Sequence, residues 1–221
     1  MALQIEPSQA EFEGFLDRQL GLVGLHVDGL AHDLPGIYSR IAEQFSRVRN
    51  KYYRCDGAPT LRLGHNAQYS IFLYHLSRSQ FAAGDRLAAD KLYALLRMVS
   101  SFDLYYEVSL PRLWACDHPL GSVIGRARFA EAATFFFVQN CTIGNNNGIY
   151  PDILGNLHML PNSNLLGATK VVGNVVLANG ACAIDAGELR DCMVFGRSPG
   201  LTIKPLAEGR FLDLSAFQRV P

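Results

Sequence analysis

Apolar positions along this chain follow two rhythms. Over residues 10–102 they recur at spacings of three and four, as in Phe12, Phe15, Leu16 and Leu20 and again in Leu92, Leu95, Leu96 and Val99. That spacing lines one face of a helix. Residues 37–53 and 67–81 keep it, the first with basic and the second with aromatic residues interleaved. The sequence therefore predicts an α-rich first half, with Asp56-Gly57-Ala58-Pro59 and Ala83-Gly84-Asp85 as turns joining helices. Arg47, Arg49 and Lys51 read as a solvated helix face or as a phosphate patch, the former being the commoner use of such a run.

Beyond Pro111 charge thins out, Gly and Asn become frequent, and short apolar pieces replace the helical spacing. From Ile153 every sixth residue is apolar: Met159, Leu165, Val171, Leu177 and Ala183 follow. Four positions after the first five of these stand Leu157, Ser163, Thr169, Val175 and Ala181, small or β-branched apart from the leucine. Between them fall Gly155, Asn156, Asn162, Gly167, Gly173, Asn174, Asn179 and Gly180, residue types that tolerate positive φ.

Six residues are too few for a helix and its connection but fit one short strand and a corner, and three such sides close a coil of about 18 residues. The pattern predicts an α+β chain in which a parallel β-helix follows a helical domain, each coil burying the apolar face of the last. The expected divisions are a helical domain over residues 1–102, a β-helix over 103–205 and a tail over 206–221. The ends of such a stack need cover, for which the helical half and residues 201–221, where the period lapses, are the candidates. A sandwich with Asn-Gly turns is the alternative, and the six-residue register disfavours it.

With 221 residues, 49% of them apolar, the chain can fill one large core or two smaller ones. Lys plus Arg and Asp plus Glu balance at 20 each, so no net field recruits nucleic acid or an anionic membrane. The N-terminus has no basic stretch followed by an apolar one, and no long apolar run occurs, which predicts an unexported, cytoplasmic protein. Five cysteines without CxxC spacing argue against a disulfide framework or a zinc knuckle and for reduced thiols, several of them in the core.

Of six histidines, His118 stands out, because it lies in residues 117–125, DHPLGSVIG, where the second rhythm begins. This string resembles the DHxxGxVxG segment of bacterial serine O-acetyltransferases. QNCTIG at 139–144, YPDI at 150–153 and the hexapeptide array keep step with that family, and FGRSP at 195–199 with Ile203-Lys204-Pro205 resembles its closing turn. The resemblance covers roughly residues 100–205. It implies a left-handed β-helix, a homotrimer with active sites between subunits, possible pairing of trimers, acetyl-CoA as donor and no metal. It also implies His118 as general base, the acid 15 residues earlier, Asp103, as its partner, and Asp117 as an acceptor contact.

The chemistry requires such a set, since a hydroxyl is too weak an acid to attack a thioester at neutral pH unless an imidazole takes its proton. A carboxylate fixes the imidazole tautomer, and an N–H must meet the oxyanion. His118 could instead be a structural histidine at the domain junction, Asp103 a helix-terminal acid, and Glu107 a second candidate partner. His158, between Leu157 and Met159, reads as outward-facing or in a cleft. No three-histidine set with metal spacing lies in the repeat, which weakens a zinc carbonic anhydrase reading of this scaffold.

The chain departs from that family in the loop after the third coil motif. The family's Gly-rich loop ends in Arg-His-Pro; here Ile149 and Tyr150 replace the Arg-His pair. A free amino-acid carboxylate thereby loses its guanidinium partner, whereas Tyr150, with Trp114 and Tyr105 or Tyr106, suits the apolar face of a sugar ring. The expectation is O-acetylation of a sugar or polysaccharide hydroxyl, with serine acetylation, amino-sugar N-acetylation and a catalytically silent scaffold as alternatives. For coenzyme A, the resemblance points to Gly144 and Asn145, to Pro161, Asn162 and Ser163, to Asn179, and to Lys204, with Lys170 and Arg197 as alternatives.

Overall fold

The computed structural model describes residues 2–207, 209–211 and 216–217. The chain divides into two compact units, Met1–Glu107 and Val108–Pro221.

The first unit runs β1 (Gln4–Glu6), α1 (Gln9–Gly21), α2 (Leu34–Ser46), β2 (Arg54–Cys55), β3 (Ala58–Arg62), α3 (Asn66–Ala82), α4 (Arg86–Ser100) and β4 (Asp103–Leu104). Ser8 starts α1 by accepting from the Glu11 amide, and Asp85 starts α4 by accepting from the Ala88 amide at 2.9 Å, each satisfying an orphan donor of a first turn. α3 is the central helix, with Ile71, Phe72, Leu73 and Leu76 at 0% exposure. Phe12 of α1 meets Phe72 edge-on at a centroid distance of 5.1 Å.

Ala83-Gly84-Asp85 joins α3 to α4 as the sequence predicts. Asp56-Gly57 does not join helices. It is the two-residue turn of a hairpin in which β2 pairs antiparallel with β3, Cys55 opposite Ala58. Both turn residues have positive φ, 48° and 81°, as a type I′ turn requires. β1 adds a parallel partner to β3, completing a three-stranded sheet.

The second unit is a parallel β-helix of about five turns. Its strands are β5 (Leu113–Cys116), β6 (Val123–Ile124), β7 (Arg128–Phe129), β8 (Thr134–Phe137), β9 (Thr142–Gly144), β10 (Asp152–Ile153), β11 (Asn156–Met159), β12 (Asn164–Leu166), β13 (Thr169–Leu177), β14 (Cys182–Ile184), β15 (Gly187–Phe195) and β16 (Thr202–Pro205). They form three faces. β6, β9, β12 and β14 make one. β5, β8 and β11 continue into the second halves of β13 and β15, and β7 and β10 into their first halves. Of these strands β16 alone turns back, antiparallel on β15.

Register stacks like on like. Ile124, Ile143, Leu165 and Ala183 form one inward row, and Trp114, Phe135, Leu157, Val175 and Cys192 another. Every member is buried, at roughly 1.5–3 kcal/mol for each large aliphatic side chain. All six residues of the six-residue period counted from Ile153 are at 0% exposure. Cys116, Cys141, Cys182 and Cys192 are free and buried.

Corners are fastened by amides. Asn140 donates to Asn162 at 3.1 Å, and Asn162 to Asn179 at 3.3 Å; Asn156 donates to Asn174 at 2.8 Å. Asn162, Gly167, Gly173 and Gly180 take the left-handed conformation that the turn pattern predicts. Gly155 serves otherwise: a Cβ there would lie 2.2 Å from the Gly173 carbonyl oxygen.

Of the tail, only 206–207, 209–211 and 216–217 are described. Phe211 lies against His158 at a ring distance of 4.9 Å, and the Ala216 amide donates to His158 Nε2 at 3.5 Å. His158 points outward, alternating with inward Leu157 and Met159, yet is 1% exposed. These tail residues thus cover the outer side of a face of the coil stack, where the sequence reading expected cover at its end.

Candidate functional site

Register explains how His118 reaches solvent. Cys116 stands opposite Phe137 and Val123 opposite Thr142, so the corner carrying His118 is longer than the one stacked on it. The surplus chain bulges outward. The corner is nonetheless tied down, because the Asp117 amide donates to the Phe137 carbonyl at 3.0 Å and the Ser122 amide to that of Pro119 at 3.0 Å. His118 itself sits at φ 48°, in the left-handed region that few non-glycine residues adopt, histidine, asparagine and aspartate more often than others. Its side chain is 76% exposed, with Nε2 3.9 Å from Asp117 Oδ1, an ion-pair distance and too long for a hydrogen bond.

Asp103 belongs to the first unit and His118 to the second. Within its own unit Asp103 follows α4 on β4, where the Tyr93 hydroxyl donates to Oδ1 at 2.5 Å and Arg97 Nε lies 3.9 Å from Oδ2. Burial, and next the bond to Asp103, push the Tyr93 hydroxyl up to about 12. Tyr93 therefore stays a donor to the carboxylate at physiological pH. Glu107 is engaged elsewhere, accepting from Arg86 at 2.7 Å. Tyr106 is fully buried and donates to Asp90 at 2.6 Å, and Tyr105 donates to Tyr106 at 2.9 Å.

Trp114 is a correction. Its indole belongs to the inward row beside Phe135 and is 2% exposed, so it packs the β-helix core and offers no face to an acceptor. Cys116, next to the candidate base in sequence, is no rival nucleophile. Burial first and the Asp117 charge second push its thiol well above the ordinary range, which keeps it protonated and inert.

The loop after β9 is a small hairpin. Asn146 and Ile149 exchange backbone hydrogen bonds at 2.9 and 3.0 Å, and Asn147 and Gly148 turn between them at φ 50° and 81°. Asn145 Nδ2 lies 3.4 Å from the Tyr150 hydroxyl, so the structure brings these two candidates together. Tyr150 is 38% and Ile149 53% exposed. Gly144 ends β9 in register with Leu166.

At the corners further along, Asn162 and Asn179 commit side-chain amide groups to their ladder. Ser163 is fully buried, its hydroxyl donating to the Leu160 carbonyl at 2.7 Å; its side chain is unavailable to a ligand. The Pro161 carbonyl accepts from Gly180 at 2.9 Å. Lys204 lies on exposed β16 with Nζ 5.5 Å from the Phe195 ring centroid. Lys170 is paired with Glu188 at 3.5 Å. Among the described residues no group of three or more His, Cys, Asp and Glu side chains could hold a metal ion, and no helix is long and apolar enough to cross a membrane.

Solved structures share this architecture. A serine acetyltransferase from Brucella abortus strain S19 superposes with a TM-score of 0.65 at 17% identity, covering 88% of this chain and 83% of its own. One from Vibrio cholerae O1 biovar El Tor N16961 gives 0.66 at 15% identity, covering 94% and 84%, and the Brucella abortus protein in complex with coenzyme A gives 0.66 at 16%, covering 90% and 83%. No protein-family model and no curated protein matches the chain. At such identities the likeness is one of fold: a helical N-terminal region followed by a left-handed β-helix. Asp185 and Asn146, which meet across coils, went unnoticed in the sequence; their signal is a Gly-Asp pair one coil apart, Gly167 with Asp185, repeated by Gly173 with Asp191.

Proposed function

We propose that this chain is an acetyl-CoA-dependent O-acetyltransferase with His118 as general base. The observation that carries the proposal is the exposed imidazole on the lengthened corner of a left-handed β-helix. An exposed, outward histidine contributes nothing to the core, and the fold is one in which serine acetyltransferases, including one solved with coenzyme A, are built. His118 accepts the acceptor's hydroxyl proton as the oxygen attacks the thioester carbonyl. The tetrahedral adduct then expels the coenzyme A thiolate, which takes the proton back from the imidazolium. Asp103 is the proposed partner of the imidazole, the Tyr93 hydroxyl holding its carboxylate.

The acceptor is a sugar or polysaccharide hydroxyl. Exposed Tyr150, fixed beside Asn145 in a loop without arginine, supports an uncharged polyol in preference to a carboxylate-bearing acceptor. Asn145, Gly144, the backbone near Pro161 and Asn179, and Lys204 are the proposed coenzyme A contacts, completed by a neighbouring subunit of a trimer. Serine is the second reading, favoured by the serine acetyltransferases that share the fold. The test is thiol release from acetyl-CoA with serine and with a panel of sugars and oligosaccharides. Sugar-dependent release that falls by at least about a hundredfold in His118→Ala, with acetyl-CoA affinity retained, supports the proposal. Release with serine alone selects the second reading, and activity of His118→Ala equal to wild type overturns both.

A further inference from the structure

Asp185, at the corner between β14 and β15, joins three successive coils with one carboxylate. Its Oδ1 accepts from the Ala168 amide at 2.7 Å, and its Oδ2 from the Asn146 side-chain amide at 2.5 Å. Gly167 makes room for this reach, since a Cβ there would lie 2.0 Å from Asp185 Oδ1 and 2.8 Å from the Asn146 Cβ. The sister corner repeats the backbone half of the device, with Asp191 Oδ1 accepting from the Asn174 amide at 2.9 Å. That half belongs to the stacking of coils. The bond to Asn146 is different in kind, because it ties down a hairpin that projects from the stack.

That hairpin is internally stiff. Its strands are bonded through Asn146 and Ile149, and Asn145 Oδ1 accepts from the Gly148 amide at 3.3 Å across the turn. A stiff hairpin whose two ends enter the stack side by side still rocks as a body about them, and a charge-assisted bond at its base is the economical way to stop it. We infer that Asp185, acting through Asn146, is a positioning residue that fixes the loop presenting Ile149 and Tyr150, and so sets affinity for the acceptor. The inference rests on the acceptor-site reading of that loop given above.

The chemistry of the pair supplies the test. Asn146→Asp places two carboxylates face to face where one donor and one acceptor stood, and like charges at that distance force the loop off its anchor. Adding Asp185→Asn restores a carboxylate–amide bond with the partners exchanged, and asparagine tolerates the left-handed φ of 48° at that corner. Neither residue is a proposed contact of acceptor or donor. The single variant is expected to raise the acceptor KM about tenfold, the equivalent of one charge-assisted hydrogen bond. Its kcat stays within about twofold, while the double variant returns to near wild type.

Hydrogen exchange at the Asn146 and Ile149 amides, measured without substrates, reports the loop itself: faster in the single variant, restored in the double. An unchanged acceptor KM in Asn146→Asp, or a double variant no better than the single, overturns the inference while wild type remains active. Wild type inert on every acceptor overturns the transferase reading, and the exchange data then show separately whether the pair anchors the loop.

Discussion

Gly155 carries no side chain because the next coil leaves it none. A Cβ there would lie 2.2 Å from the Gly173 oxygen and 2.5 Å from its nitrogen, and backbone cannot swing aside as a side chain would. Gly155→Ala is therefore expected to push adjacent coils apart and destabilise the protein by about 1–3 kcal/mol, read as a lower urea midpoint with the slope unchanged. How legible such residues were follows from register. From Ile153 to Ala183 the six-residue interval holds, so the inward row could be counted there, although the register of β13 on β15 shifts by one residue after Val172. Before Ile153, the hairpin at 145–150 and the long corner at His118 lengthen the coils, as the pairing of Leu157 with Phe135 and of Cys116 with Phe137 shows. With the period broken, Trp114 could not be assigned to the inside, and its aromatic ring passed for an acceptor platform. His118 was legible because a motif marked it, whereas Asp185 belongs to no short motif and acts through residues distant in sequence.

Among elements, α2 and α3 share a buried polar pair that sets a pH dependence. His75 lies on α3 and its Nε2 is 2.8 Å from Gln44 Oε1 on α2; since that oxygen only accepts, Nε2 carries the hydrogen. Burial first, then the charges of Arg40 and Arg78, lower its pKa from 6.5 to about 3. In the unfolded chain the imidazole takes a proton near its ordinary value, whereas the folded chain resists it. The unfolded state thus binds more protons between those limits, and stability falls as pH drops from about 6.5 toward 3. His75→Gln, whose amide nitrogen can still donate to Gln44, should flatten that fall. Chemical denaturation of both proteins at pH 7.5 and 5 checks it, and parallel losses would refute it. The same scale shows why the hairpin of β2 and β3 was misread: the Asp-Gly signal is strong, but its strands are too short to show alternation.

A second element-scale device lies on the outside of the β-helix, where Arg128, Asp152, Lys170 and Glu188 stand in register across four strands. Their signs alternate, with Arg128 bonded to Asp152 at 2.8 Å and Lys170 to Glu188 at 3.5 Å. The bond from Arg128 lowers the Asp152 pKa, and that from Arg190 lowers the pKa of Glu188. Depressed carboxylates stabilise the fold above their ordinary range, and the contribution fades as pH falls through their folded values. These groups are exposed, so Lys170→Glu, which sets like charges across the strands, is expected to lower stability only slightly, and less still in high salt. A thermal melt at low and high ionic strength measures both effects.

At the scale of the whole molecule, apolar side chains remain in water on the β-helix unit of a single chain: Leu120 at 49%, Val123 at 42%, Ile149 at 53% and Ile203 at 50% exposure. Leu120 lies two residues from His118, the proposed base, Ile149 lies in the proposed acceptor loop and Ile203 neighbours Lys204, so the proposed site residues and the uncovered apolar surface coincide in sequence. If subunits of a trimer meet there, each site takes its base from one chain and some of its acceptor or donor contacts from the next. That arrangement allows two defective chains to repair one another. His118→Ala lacks the proposed base, and Tyr150→Ala, if that ring holds the acceptor, is slowed at low acceptor concentration in proportion to its raised KM. Unfolded together in equal amounts and refolded, they form sites in which an intact His118 from one chain meets an intact Tyr150 from its neighbour. With random assortment, about a quarter of sites are of this kind, and about a quarter of the wild-type rate is expected. A mixture as inactive as its components, though trimeric by sedimentation, would show that both residues serve a site from the same chain.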